Sequence, residues 1–209
     1  MSDGDVAACE QAMEKAWQRF TQVLPELVSE LPRLRMPVAV LSMDHFQHPI
    51  AQRMYQATCA AAVATPDGFV TPMAAVAGAV AQEMVACLSV PGVSRAYVNN
   101  GGDIALYLCE DTQWRVGVVS DLSMALQRMS DATSLSEQRI IEGAFVIDAS
   151  VPVRGVATSG WQGRSFSLGI ADSVTVLAHT AAQADVAATL IANAVNVNDA
   201  RIERRRACD

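Results

Sequence analysis

Early in the chain the apolar positions recur at alternating intervals of four and three: Met13, Trp17, Phe20, Leu24, Leu27 and Leu31. That rhythm is one stripe of a helix. Pro25 has no amide hydrogen, so the stripe reads as a helix to about Val23 and a second, short one that Pro25 opens at its first position. Pro37 to Met43 reads as a strand. Pro49 then opens a helix through Ile50, Met54 and Ala57 to Ala64, stopped by the turn Thr65-Pro66-Asp67-Gly68. Thr71 followed by Pro72 signals another helix start, and Met73, Val76, Ala77, Val80, Met84 and Cys87 supply its apolar face.

Between Arg95 and Ser120 the period changes to two. RAYVNN, IALYL and WRVGVVS alternate, separated by Asn100-Gly101-Gly102-Asp103 and Glu110-Asp111-Thr112, which predicts an antiparallel meander. Leu122 to Gly143 is polar and mixed, whereas AFVID, VRGVATS, RSFSLG and SVTVLA read as further strands. A last helix runs from near Thr180 to about Val195. Helices, then strands, then a terminal helix predict an α+β fold rather than a regular βαβ alternation.

Composition narrows the function classes. The 209 residues suit one domain, and 51% hydrophobic with 18% charged residues excludes intrinsic disorder. A net charge of −7 argues against a nucleic-acid surface. Lys15 is the only lysine and has no glycine-rich turn before it, which excludes a P-loop and a Schiff-base lysine. Three scattered histidines, His45, His48 and His179, do not make a histidine-rich zinc site. Few aromatics and 35 alanines predict close helix contacts. Five cysteines without C-x-x-C spacing point to reduced thiols. With no signal-peptide pattern, and no run free of charge longer than the 15 residues Gly68 to Gln82, a cytoplasmic protein without a membrane segment is expected. The charged end from Arg201 to Arg206 reads as a solvated tail, with anion binding as the lesser alternative.

Three groups of residues carry candidate chemistry. Asp185 and Thr189 lie four apart on the last helix, so a carboxylate and a hydroxyl share one face and could jointly face a hard cation such as magnesium. The bland alternative is an Asp that complements a helix dipole and a Thr that bonds back to its own helix. Gly101, Gly102 and Asp103 form either a tight hairpin turn or a close backbone approach to a ligand with a carboxylate at the strand end. Thr158, Ser159 and Gly160 end a strand with two hydroxyls and a glycine, which either turn the chain or offer donors to a phosphate or ring carbonyl.

The order NNGGDIAL, GVATSG and SVTVLAHTAAQADVAATLIANAV, with FVTPMAAVAGAVAQEM upstream, resembles the ApbE family, the flavin transferases that move FMN from FAD to a protein threonine. These blocks extend from Phe69 to Val195, and the nearest likeness is to a short branch related to that family. The resemblance implies a single ApbE-like α+β domain over residues 1–209, with a mixed, largely antiparallel sheet and packed helices. It implies FAD or another flavin nucleotide and magnesium as ligands. Asp185 and Thr189 fall on the metal positions, with a backbone carbonyl near Ala74 as a further ligand. Gly101, Gly102, Asp103 and Thr158, Ser159, Gly160 fall on the motifs bordering the flavin.

Departures are specific. The transferases carry a lysine where this chain has Ala77, their His-Ile-Ile-Asp-Pro block has no equivalent, and their amino-terminal Met-Gly-Thr segment is unrecognisable. Asp103 and Asp172 are the substitutes for a base, without a catalytic residue being assigned. The expected function is flavin binding with magnesium-dependent FMN transfer to a protein hydroxyl. The alternatives are a non-catalytic flavin or nucleotide carrier and a structural homo-oligomer with degenerate motifs. A small-molecule nucleotide and a protein acceptor are the expected partners.

Overall fold

The computed structural model describes residues 1–65, 69–118, 143–163 and 167–203. Helix α1 is continuous from Val6 to Leu34 and contains both Pro25 and Pro32, so the predicted break at Pro25 does not occur. An internal proline costs about 3 kcal/mol or more in a helix, and tertiary contacts must offset it. Arg19 provides one: its guanidinium reaches across the proline to both Glu26 oxygens at 2.7 and 2.8 Å and also binds Glu83 at 2.7 Å. Asp5 caps the start by accepting from the Ala8 amide at 2.9 Å. The buried side of α1 is Ala12, Val23, Glu30 and Leu34. Trp17 and Leu24, from the apolar stripe, face solvent instead.

The predicted strand Pro37 to Met43 is replaced by two single 3-10 turns, Val38–Val40 and Met43–His45. Local polar contacts win there, the His45 ring accepting from the Ser42 amide at 3.2 Å. Helix α2 spans Pro49–Ala62, and buried Glu30 accepts from the Gln47 and His48 amides at its entrance. A 3-10 turn at Pro72–Ala75 leads into α3, Val76–Leu88.

Among the described residues there are seven strands: β1 Ser2–Gly4, β2 Val93–Asn100, β3 Asp103–Leu108, β4 Gln113–Val118, β5 Gly143–Asp148, β6 Gly155–Ser159 and β7 Val174–Ala178. The main sheet has the order β1-β2-β3-β6-β7, and β4 pairs with β5 as a separate ribbon. Every pairing among the described residues is antiparallel. The predicted meander therefore stops after its first hairpin, because β6 rather than β4 takes the place beside β3. β1 was not expected from its acidic sequence. It is held by the backbone and by Arg95, which binds Asp3 at 2.8 Å. Of the segment RSFSLG, residues 164–166 lie outside the described residues and the rest forms no strand. The mixed stretch from Leu122 to Gly143, except Gly143 itself, the last two residues of WRVGVVS and the turn residues Pro66 to Gly68 also lie outside them.

Helix α4, Ala181–Ala194, closes the fold, capped by the Thr180 hydroxyl. Alanines let the helices sit close on one face of the sheet: Ala96 and Ala105 pack with Ala12 and Ala81, and Ala157 packs with Ala184 and Ala188. The ribbon covers part of the other face, where Leu106, Leu108 and Val156 meet Ile147 and Trp114. The fold is α+β, with antiparallel sheets and packed helices. No described helix is long and apolar enough to cross a membrane.

One close contact positions the site. A Cβ on Gly78 would collide with the backbone of Ala181, at the crossing of α3 and α4. Gly78→Ala should lower the unfolding free energy in urea by about 2–4 kcal/mol, since rigid backbone on both sides has to separate. Gly102→Ala, where φ is +115° but a Cβ meets nothing within 4 Å, should cost only about 1 kcal/mol.

Candidate functional site

The Asn100-Gly101-Gly102-Asp103 hairpin connects β2 to β3 in a two-residue turn, with Asn100 paired to Asp103. Gly101 and Gly102 have φ of 71° and 115°, conformations that a residue with a Cβ adopts at a cost. Asn99 stiffens the turn by accepting from the Gly102 amide at 2.9 Å. The turn tip borders a cavity of about 700 Å³, whose walls include Ile104, Val156, Thr158, Gly160 and Asp172. That volume lies within the usual range for small-molecule sites. Gly101, Gly102, Thr158, Ser159 and Gly160, five of the flavin positions drawn from the resemblance, thus border one space.

Asp172, on the cavity wall, accepts from the indole nitrogen of half-exposed Trp161 at 2.8 Å. Gly160 packs against the Asp172 carbonyl so closely that a Cβ there would collide. This glycine keeps the cavity loop against the loop that follows it.

On the helical side of the same strand ends lies a pair of carboxylates. Asp185, on α4, is 8% exposed and accepts from the Gly78 amide at 2.8 Å. The Ala77 amide also donates to it, so Asp185 caps the first turn of α3 from a different helix. Burial, and next the charge of Asp103, push the Asp185 carboxyl up to about 7, against the pull of those two amides. Burial likewise raises Asp103 to about 6, against an opposing hydrogen bond from the Thr158 backbone. A buried carboxyl that a neighbouring carboxylate raises further favours a proton or a cation at this spot.

Thr189 stands one turn beyond Asp185 on α4 and is partly buried. Ala74 lies in the 3-10 turn that packs against α4. Among the described residues no three His, Cys, Asp or Glu side chains gather as a metal site. A cation here would therefore draw on Asp185, Asp103, the Thr189 hydroxyl, backbone carbonyls and water. That set is all oxygen, and it suits magnesium, which keeps several waters and accepts few protein ligands. Asp103, Asp185, Thr189 and Ala74 do not border the cavity, so the carboxylate pair and the cavity are neighbours on either side of the glycine turn.

Several contributors escaped sequence reasoning. The Asn100 amide donates to the Ala77 carbonyl at 3.1 Å, tying the turn to the start of α3. Asn193 donates to the Thr189 carbonyl and accepts from the Leu168 amide, both at 2.8 Å. The paired asparagines before the glycines were the available signal for the first contact. Nothing in sequence spacing marked the second. At the end of the chain, exposed Arg201 pairs with Asp199 at 2.6 Å, while residues 204–209 lie outside the described residues.

The family model described as AbpE bacteria matches residues 1–209. A UPF0280 protein of Methanosphaerula palustris is 33% identical over 193 residues, 88% of this chain and 71% of the relative. UPF0280 proteins of Methanospirillum hungatei and Methanothermobacter thermautotrophicus are 36% and 38% identical over 131 residues, 62% of this chain. The chain spans 47% and 44% of those two relatives. With its whole length matched, the chain belongs to the ApbE-related family AbpE bacteria, alongside the UPF0280 proteins.

Proposed function

We propose that this protein binds a flavin nucleotide, FAD first among them, in the cavity beneath the Gly101-Gly102 turn, with magnesium held by Asp185 and Thr189. The observation that carries this reading is the turn itself. Gly102 borders the cavity and the next residue, Asp103, opposes Asp185. A pyrophosphate lying over the glycines would meet backbone rather than side chain, and a cation beside Asp103 and Asp185 would neutralise both partners. Bound magnesium supplies charge neutralisation on the pyrophosphate. The chain's own groups do the positioning: Asn99 fixes the turn, Asn100 and Asp185 fix the start of α3, and Thr158 presents its hydroxyl at the cavity wall. A carrier that binds without transferring FMN is favoured over an active transferase by Ala77, which stands where the transferases have a lysine.

Absorbance of the purified protein and titration with FAD, with and without magnesium, test the reading. Magnesium should tighten FAD binding by about tenfold or more, and Asp185→Ala should abolish that gain. Thr189→Val, which keeps the shape and removes the oxygen, should weaken it less. A folded Asp185→Ala protein with undiminished magnesium dependence would remove the metal assignment. Absence of FAD binding by the wild type would remove the flavin assignment.

A further inference from the structure

The exposed stripe on α1 is independent of the flavin reading and carries its own inference. Met13, Trp17, Phe20, Leu24 and Val28 are 48%, 63%, 49%, 69% and 55% exposed. At 100° per residue they form one face, turned about 110° from the buried side of Ala12, Val23, Glu30 and Leu34. Trp17 and Phe20 stack on each other with ring centroids 6.1 Å apart, so the face is already partly ordered. Scattered exposed apolar residues need no explanation, but a continuous stripe several turns long marks an interaction surface.

We infer that this stripe seats a second copy of the chain, the two α1 helices running antiparallel about a two-fold axis near residue 22. The apolar stripe is complementary to itself in that arrangement. Trp17 falls opposite Val28, Phe20 beside Leu24, and Met13 beside partly buried Leu31, each pair centred within half a residue of the same point. The charged ends obey the same symmetry. Exposed Glu10 before the stripe falls opposite exposed Arg35 after it, whereas a parallel pairing would set Glu10 against Glu10 and Arg35 against Arg35. An isologous contact of this kind closes as a dimer. Fully covered, the five side chains would bury about 600 Å² per copy, about 1,200 Å² in all at most, which reaches the lower end of stable interfaces.

Sedimentation of the full chain from about 1 to 100 µM tests this. The wild type should approach twice the 22.2 kDa chain mass, and Leu24→Glu should sediment as a monomer with unchanged circular dichroism. Glu10→Arg should weaken the dimer by about threefold, and Glu10→Arg combined with Arg35→Glu should recover it. A wild-type monomer at every concentration overturns the proposal, as does a dimer that survives Phe20→Glu together with Leu24→Glu. A charge swap that does not recover association overturns the antiparallel direction. A monomer that binds anionic phospholipid vesicles through Leu24 would assign the stripe to a membrane surface instead.

Discussion

In the presence of a chelator, the protein should lose thermal stability as the pH rises from about 5 to 8. An unfolded aspartate titrates near 3.9, whereas folding lifts Asp103 to about 6 and Asp185 to about 7. Between those values the folded chain holds protons that the unfolded chain has released, so stability falls with rising pH. The stabilisation is complete below pH 4 and has gone once both folded groups have ionised. After relaxation and partial solvation the pair should account for about 3 kcal/mol, or a drop in Tm on the order of 10 °C. Magnesium should restore the loss at pH 8 and do little at pH 5, where protons already occupy the site. Asp103→Asn removes the repulsion and should flatten the curve. A metal-free Tm that rises from pH 5 to 8, or the same magnesium effect at both pH values, would contradict the coupled pair.

That pair shows where sequence reasoning reached its limit. Asp185 and Thr189 were legible because helical periodicity puts i and i+4 on one face, and Asp103 because it follows a recognisable glycine turn. Their mutual approach was not legible, since it depends on α4 packing against β3, a contact between distant parts of the chain. Ala77 was noticed only as a missing lysine. Its amide and carbonyl instead hold Asp185 and Asn100, roles that any residue's backbone can play and that leave no mark in composition.

The fold was legible in the same uneven way. α2, α3, α4 and the β2–β3 hairpin follow from local period and turn chemistry, and each was anticipated near its observed limits. The exceptions are non-local. Pro25 ends a helix by local rules, but Arg19 bridges it to Glu26 and to Glu83 on another helix. β4 alternates like its neighbours, yet pairing is chosen by the whole sheet, and β6 carries Gly155, whose lack of a Cβ lets it lie against the Thr180 backbone at the head of α4. The α1 stripe was correctly a helix stripe. What periodicity alone could not say is that small alanines on an adjacent face would take the intramolecular contact and leave the large side chains outside.

Incubated with FAD, magnesium and an acceptor protein bearing a flavinylation threonine, the protein should transfer FMN at least about 100-fold more slowly than an active transferase. In the transfer, the threonine oxygen bonds to the FMN phosphorus, the bond from that phosphorus to the bridging oxygen breaks, AMP leaves, and the hydroxyl proton passes to a base. Binding the pyrophosphate and removing that proton are separate demands. In the proposed reading the glycine turn, with a cation beside Asp103 and Asp185, would serve the first. For the second, Asp185 is engaged by two α3 amides and Asp103 lies beside it, away from the cavity wall. Asp172 does border the cavity, but one of its oxygens already accepts from Trp161. Ala77→Lys should therefore leave transfer slow, because it adds a positive charge at the start of α3 and no positioned base. In-gel flavin fluorescence on the acceptor at a rate comparable to an active transferase would contradict this expectation; Asp172→Asn and Asp103→Asn would then test whether either of them takes the proton.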